Sequence, residues 1–366
     1  MNAVTSSPAC PYIGRLPAGA LDSMADVAGV GVGHATLADG AVQTGVTVVR
    51  AHGGDPYLQR VPAGVAVLNG FGKSVGLMQV EELGVLETPI ALTNTFSVPA
   101  VAAAQIRACV AANPECGRSL PTANALVLEC NDGYLNDIQR MAVQEAHYLD
   151  ALATAGAEVA QGAVGAGRGM SCFGVKGGIG SASRVATLRD ARTFTVGALV
   201  LANFGVPENL VVAGRAVGAA LARAASAVPP PEKGSIIMLL ATDAPLDARQ
   251  LRRLALRAGA GLARTGSVFG HGSGDIALAF STAYTVPLSF DSPDAPMPAV
   301  MLLHDALLDP LFQAAADSTE QAILHALWLA QPVTGRDGHT RGALREQLAG
   351  WPADAFTRAS LSLNAP

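Results

Sequence analysis

Two hydrophobic rhythms alternate along this chain. Short, nearly unbroken apolar runs occupy residues 61–68, 125–128, 198–202, 236–241 and 276–281. Their length and aliphatic content predict buried strands, because a strand covered on both faces shows no polar alternation. Elsewhere, apolar residues recur at three- and four-residue spacing, over 100–112, 137–155, 248–264 and 321–330. That period predicts helices with one buried face. Residues 210–227 are alanine-rich and predict another helix, with Arg215 and Arg223 on its wetter side. Asp247 immediately precedes 248–264 and predicts an N-cap. Strands and helices in alternation predict a layered α/β protein, and no fixed 20–50-residue repeat interrupts them.

Two segments break the rhythm. Pro229-Pro230-Pro231-Glu232-Lys233 is a stiff segment that ends at Gly234-Ser235, directly before the run 236–241. A serine therefore stands where an exposed loop meets a core strand. If the Gly234–Ser235 bond were cut, Ser235 would carry a hydroxyl nucleophile and a free amine on one rigid element, and the amine could serve as base to its own side chain. A plain turn, with the glycine supplying the backbone angle, explains the same string. The second segment, 162–180, is dense in glycine and reads as a loop lining a site or allowing backbones to pass closely. Its Gly162–Gly169 portion invites a dinucleotide-fingerprint reading, but the GxGxxG spacing is absent and no clean strand precedes it.

Composition narrows the field. Half of the 366 residues are hydrophobic and only 14% are charged, which predicts a large core rather than disorder. Aromatics make up only 5% against 40 glycines, so that core must be built from small and branched aliphatics. The net charge of −5, with no basic stripe, offers nothing to a nucleic acid. Cys10, Cys109, Cys116, Cys130 and Cys172 are scattered, without a CxxC pair or zinc-like spacing, and are expected to be reduced. The first ten residues show neither a basic start nor an apolar stretch, and no apolar stretch reaches about 18 residues without a charge. A cytoplasmic enzyme with no membrane span, no metal and no cofactor is the expectation.

Three constellations could carry chemistry. In Gly270-His271-Gly272-Ser273-Gly274-Asp275, strand alternation places Ser273 and Asp275 on one face, where a hydroxyl and a carboxylate could hold a neighbouring amine or hydroxyl. His271 leaves a Ser/His/Asp arrangement open, and a glycine-rich turn capped by Asp275 is the plain alternative. Glu129-Cys130-Asn131-Asp132-Gly133-Tyr134 closes the run 125–128. Asn131-Asp132-Gly133 is a turn signal, whereas a carboxylate at Glu129 needs a partner such as a substrate ammonium. Asn203 ends the run 198–202, where its amide can donate to an oxyanion or merely cap the turn.

Taken together and in order, these strings resemble a known family. ECNDGYLND at 129–137, FGVKGGIGSASR at 173–184, ANFG at 202–205, GSIIMLLATDAPL at 234–246, LARTGS at 262–267, GSGD at 272–275 and TGRDGHT at 334–340 are similar to the P1 (DmpA-type) aminopeptidases. These are L-aminopeptidase/D-amidase-esterases and β-peptidyl aminopeptidases. The resemblance spans about 13 to 340 and implies a single catalytic unit, 1–366, that cuts itself into an α fragment, 1–234, and a β fragment, 235–366. It implies a four-layer α/β/β/α sandwich of N-terminal-nucleophile type with its own topology. By the same resemblance Ser235 is the nucleophile, Ser273 and Asp275 support it, Asn203 serves the oxyanion, Tyr134 lines the site, and Glu129 receives the free amine of a small peptide or amide. Assembly as an oligomer of αβ units, commonly four, is also implied. An amidase acting on ω-amino oligomers, an unprocessed binding module and a nucleotide-binding protein are the competing readings. Ala163, Arg168 and Pro99 depart from the family pattern and bear on substrate preference.

Overall fold

A computed structural model of the chain describes residues 8–223, 234–288, 299–352 and 354–356. The elements that frame the site are, in chain order, strands β1 (Gly31–Asp39), β2 (Val42–Arg50), β3 (Gln59–Gly70) and β4 (Ile90–Asn94), then helix α1 (Val98–Ala112). Strand β5 (Val127–Cys130), helix α2 (Glu145–Ala153) and strands β6 (Gly178–Thr187), β7 (Thr193–Asn203) and β8 (Gly234–Thr242) follow. Helix α3 (Ala248–Arg264), strand β9 (Ser273–Ser281) and helix α4 (Asp309–Trp328) complete the set.

The strands form two main sheets. The smaller runs β1-β2-β4-β5, antiparallel except for the parallel pair β4/β5. The larger runs β3-β9-β8-β7-β6, with β8 and β9 parallel and the other pairs antiparallel. Three buried clusters show how they stack. One lies between the sheets, joining Val32, Val49 and Leu92 to Leu199, Ile237 and Leu278. A second joins the far face of the large sheet to α3 and α4, through Val200, Met238, Leu254 and Ile323. The third joins the far face of the small sheet to α1 and α2, through Val48, Val127, Val101 and Tyr148. The order is therefore helix, sheet, sheet, helix, the four-layer arrangement expected.

Strand β8 shows why its apolar run has no polar alternation. Ile236, Met238 and Leu240 face the helices, while Ile237, Leu239 and Ala241 face the second sheet. Each large aliphatic buried this way contributes roughly 1.5–3 kcal/mol. Helix α3 runs over the predicted residues. Asp247 caps it by accepting from Gln250 N at 2.7 Å, and Asp247 N donates in turn to Gln250 Oε1 at 3.1 Å. Leu251, Leu254, Ala255, Ala258 and Leu262 form its buried stripe. The scarcity of aromatics has a structural counterpart in close contact between layers. A Cβ on Gly180 would fall 1.9 Å from the Ala322 carbonyl, so α4 lies directly on β6.

Four expectations are corrected. Residues 210–227 do not form one helix: Val211–Val212 pair with Arg215–Ala216 around left-handed Ala213 and Gly214, and the described helical residues begin at Gly218 and run to Arg223. Positions 224–227, like the proline segment 229–233, lie outside the described residues. Within 137–155, left-handed Met141 ends a single turn at Ile138–Arg140, and α2 begins at Glu145. Helix α4 starts twelve residues before 321, because Asp317, Ser318, Thr319 and Glu320 are buried polar residues that hide its apolar face in the sequence. The glycine-dense segment is not all loop, since Gly178 and Gly180 open β6. Helix α1 with its preceding turn, Thr95–Ala112, is apolar and long enough to cross a membrane by composition, yet it packs on the small sheet through Val98, Val101 and Ala104.

Candidate active site

Several strand ends converge at one end of the sandwich. Register places Asn203, the last residue of β7, directly opposite Ser235 in β8. On the other side of β8, Gly234 pairs with Ser273 and Ser235 with Gly274 of β9. Gly274 in turn pairs with Gly70, the end of β3. Ser235 is buried, and its Oγ accepts a hydrogen bond from Gly274 N at 3.1 Å. Gly234 has no room for a side chain, because a Cβ there would lie 2.1 Å from the Asn203 carbonyl oxygen.

Alternation along β7, β8 and β9 sorts the side chains between two faces. Ser235 and Asn203 share the face turned toward the second sheet, as Ile237 and Leu201 do. Ser273 and Asp275 take the opposite, helix-side face of β9 with Ala277. There Ser273 Oγ donates to Asp275 Oδ1 at 2.5 Å, and both residues are fully buried. This pair therefore lies beside the Ser235 main chain rather than on its hydroxyl side. His271 is exposed and turns its ring toward Phe71, 6.1 Å between centroids. Asn69 pins the turn before Ser273 by donating to the Gly270 carbonyl at 2.9 Å and to that of Ser273.

Asn203 is fixed at both ends of its amide. Its Oδ1 accepts from Ser171 N at 2.8 Å, and its Nδ2 donates to the Asn131 carbonyl at 2.8 Å. A primary amide carries two N–H groups, so a second donor stays available on the Ser235 face. The Ser171 loop is itself held from below. Lys176 is fully buried, and its Nζ donates to the carbonyls of Gly167, Met170 and Gly177 at 2.9, 2.7 and 2.8 Å. Burial pulls this ammonium well below the usual lysine range.

Glu129 ends the small sheet and is buried. Its Oε1 accepts from Lys73 N at 2.8 Å, and its Oε2 accepts from Thr95 Oγ1. A carboxylate has about four acceptor positions, so these two donors orient it while leaving capacity for an ammonium. Asp132, three residues on, accepts from Asn136 Nδ2 at 3.0 Å. Burial raises its carboxyl to about 7, although hydrogen bonds from Thr44, Asn136 and Asn94 pull the other way.

Tyr134 is partly exposed and stacks on the His339 ring, 4.6 Å between centroids. The Arg341 guanidinium lies 3.8 Å from the centre of the tyrosine ring, and Arg341 Nε donates to Ser171 Oγ at 3.2 Å. The segment bearing TGRDGHT thus closes over 131–136, with Arg336 donating to the Gly133 carbonyl at 2.7 Å.

The residues expected from sequence are therefore brought together, with Ser273 rather than His271 bonded to Asp275. Gly162–Gly169 forms a single turn at Gly165–Gly167 instead of a strand-to-helix phosphate loop, which removes the context a dinucleotide fingerprint needs. Arg168 is half-buried, and its Nε donates to Gln43 Oε1 at 2.7 Å. Pro99 sits in the first turn of α1, where its missing N–H is no loss. Thr95, Lys73, Ser171, Lys176 and Arg341 were not anticipated. Lys176 lies inside the string 173–184, Ser171 inside the glycine-dense segment 162–180, Arg341 directly after 334–340 and Thr95 four residues before Pro99, whereas Lys73 belongs to no string singled out. Among the described residues, no three His, Cys, Asp or Glu side chains gather to hold a metal ion.

The family model for peptidase family S58 matches residues 22–341. The chain is 39% identical over 355 residues to the beta-peptidyl aminopeptidase BapA of Sphingosinicella microcystinivorans, covering 90% of this chain and 86% of that protein. Among solved structures it is similar to the PH0078 protein from Pyrococcus horikoshii OT3, with TM-score 0.87, 44% identity, and 92% and 96% of the two chains covered. It is also similar to the L-aminopeptidase D-Ala-esterase/amidase from Ochrobactrum anthropi, with TM-score 0.83, 34% identity and 97% of each chain covered. That protein is described as a prototype for the serine aminopeptidases and a new variant among the Ntn hydrolase fold.

Proposed function

The chain belongs to peptidase family S58, and we propose that Ser235 is its nucleophile, exposed when the precursor cuts its own Gly234–Ser235 bond. The enzyme is a serine aminopeptidase of the hydrolase class. In maturation, Ser235 Oγ attacks the Gly234 carbonyl, the peptide bond shifts to an ester, and water hydrolyses the ester. This releases fragments 1–234 and 235–366, with Ser235 bearing a free amine.

In turnover, that amine takes the Ser235 hydroxyl proton as Oγ attacks the substrate carbonyl. An α-amino group has an ordinary pKa of about 7.7–8.0, so a small downward shift leaves it neutral at physiological pH. The Ser273–Asp275 pair, lying beside the Ser235 main chain, orients the amine and stabilises it once protonated. Asn203 Nδ2 supports the oxyanion, and Glu129 holds the substrate ammonium. The leaving amine takes the proton, and water then cleaves the acyl-enzyme. The products are an N-terminal residue, either L-α-, D-alanyl or β-aminoacyl, and a shortened peptide, amine or alcohol. The working form is a cytoplasmic oligomer of αβ units.

One observation carries this reading: the placement of Asn203 across from Ser235 on one face, with Gly234 allowed no side chain. Intact mass of the purified protein under denaturing conditions tests it. Two species matching 1–234 and 235–366 are expected from wild type, and one full-length species from Ser235→Ala. A wild-type protein that stays whole yet hydrolyses aminoacyl amides would overturn it.

A further inference from the structure

Arg341 has no place in the chemistry above. It closes a two-residue ladder in which Thr340–Arg341 pairs with Val333–Thr334. Its Nε is bonded to Ser171 Oγ, and Ser171 N is the donor that fixes Asn203 Oδ1. The guanidinium is therefore two contacts from the proposed oxyanion donor. It is half-buried, and among the described residues it forms no ion pair. A guanidinium has five N–H donors, and the bond to Ser171 uses one. A partly desolvated cation beside a site, with no carboxylate of its own, is built to meet an anion.

Strand order gives that anion a direction. Lys73, whose N–H holds Glu129, follows the end of β3. Strand β3 borders β9, which borders β8. Ser171 lies on the opposite flank, where Phe173 N donates to the Phe204 carbonyl just past the end of β7. Ser235 stands between the two flanks. A substrate held by its ammonium at Glu129 and by its carbonyl at Ser235 would extend its leaving group toward the Ser171 flank, where Arg341 is bonded.

We propose that Arg341 receives the C-terminal carboxylate of the leaving residue, making free-acid dipeptides the preferred substrate class. This rests on Ser235 acting as an aminopeptidase nucleophile. The fork of a guanidinium matches a carboxylate in two parallel hydrogen bonds, which a neutral C-terminal amide does not reproduce.

The test compares kcat/KM for L-Ala-L-Ala with L-Ala-L-alaninamide, and for the corresponding β-alanyl pair, in wild type, Arg341→Gln and Arg341→Lys. Wild type is expected to favour the free acid by about ten- to a hundredfold, the span of a hydrogen bond between charged groups. Arg341→Gln should bring that ratio close to one, chiefly through KM, and Arg341→Lys should restore part of it. Equal rates on acid and amide in wild type would overturn the proposal. So would an Arg341→Gln variant that loses both substrates by one factor, since that points to the Tyr134 stack alone. If Arg341→Gln fails to fold, the wild-type ratio and Arg341→Lys decide. Cut wild-type protein that hydrolyses neither member of either pair would overturn the Ser235 reading as well, whereas hydrolysis without acid preference sinks only the role of Arg341.

Discussion

Asn203 and Ser235 are directly opposed residues of an antiparallel pair, and their side chains share one face of the sheet. The sheet register therefore keeps their two backbones in a fixed relation. Sheet pairing sets the distance, and the bonds from Asn203 to Ser171 N and Asn131 O set the direction of its amide. A donor organised before the substrate arrives costs no rearrangement when charge develops on the oxygen, which is the condition for strong electrostatic stabilisation.

Asn203→Ala should lower kcat by roughly a hundred- to a thousandfold, the usual loss for one oxyanion donor, with a smaller change in KM. Steady-state kinetics on an alanyl anilide checks this. An unchanged kcat would assign the oxyanion to other donors.

Gly234→Ala should block maturation. The added methyl would have to sit 2.1 Å from the Asn203 carbonyl oxygen, so either the β7/β8 pairing opens or the scissile carbonyl moves. Denaturing gels should show one full-length band after incubation that fully cuts wild type. Normal fragments from this variant would show that the strand start rearranges before cleavage.

Ser273→Ala and His271→Ala separate two readings of one string. Ser273 is buried and bonded to Asp275, whereas His271 is exposed beside Phe71. Ser273→Ala should slow turnover by roughly a hundredfold or more, the scale of a lost proton-transfer partner, and His271→Ala should leave it within twofold. The reverse pattern in kcat would restore the Ser/His/Asp alternative.

Asp132 should imprint a pH dependence on stability. Its folded carboxyl is raised from the ordinary 3.8 to about 7, so between these values the unfolded chain is ionised while the folded one stays protonated. The unfolded state then binds fewer protons, and stability falls as pH rises through that window, by up to about 1.4 kcal/mol per unit. Above about pH 7 both states are ionised and the slope vanishes. Asp132→Asn, which resembles the neutral acid, should flatten the decline. Thermal melts of both proteins from pH 4 to 8 would show it, and parallel curves would exclude Asp132 as the source.

Much of this was legible in the sequence where burial and period coincide. The run 236–241 and the capped helix after Asp247 needed no tertiary information, because β8 is covered on both faces and α3 has a clean stripe. Ser273 and Asp275 were placed on one face by strand alternation alone. What stayed hidden depends on partners distant in sequence. The first half of α4 reads as polar, since Asp317 and Glu320 are buried against Arg264 from another helix. Lys176 gives no sign in sequence that three carbonyls surround it. Arg341 acquires meaning only once its loop folds back onto Tyr134 and Ser171.

Strand β8 lies inside the large sheet, with β7 on one side and β9 on the other. A break in the chain at its first peptide bond thus leaves it laced between neighbours belonging to both pieces. The cut molecule would hold together, but its unfolding would no longer be reversible on the same terms. Refolding of the intact chain is unimolecular, whereas recovery from two separated polypeptides depends on their concentration and on their meeting in register. The instructions for building the sheet are used once, before the cut, and dilution afterwards would make loss of structure permanent.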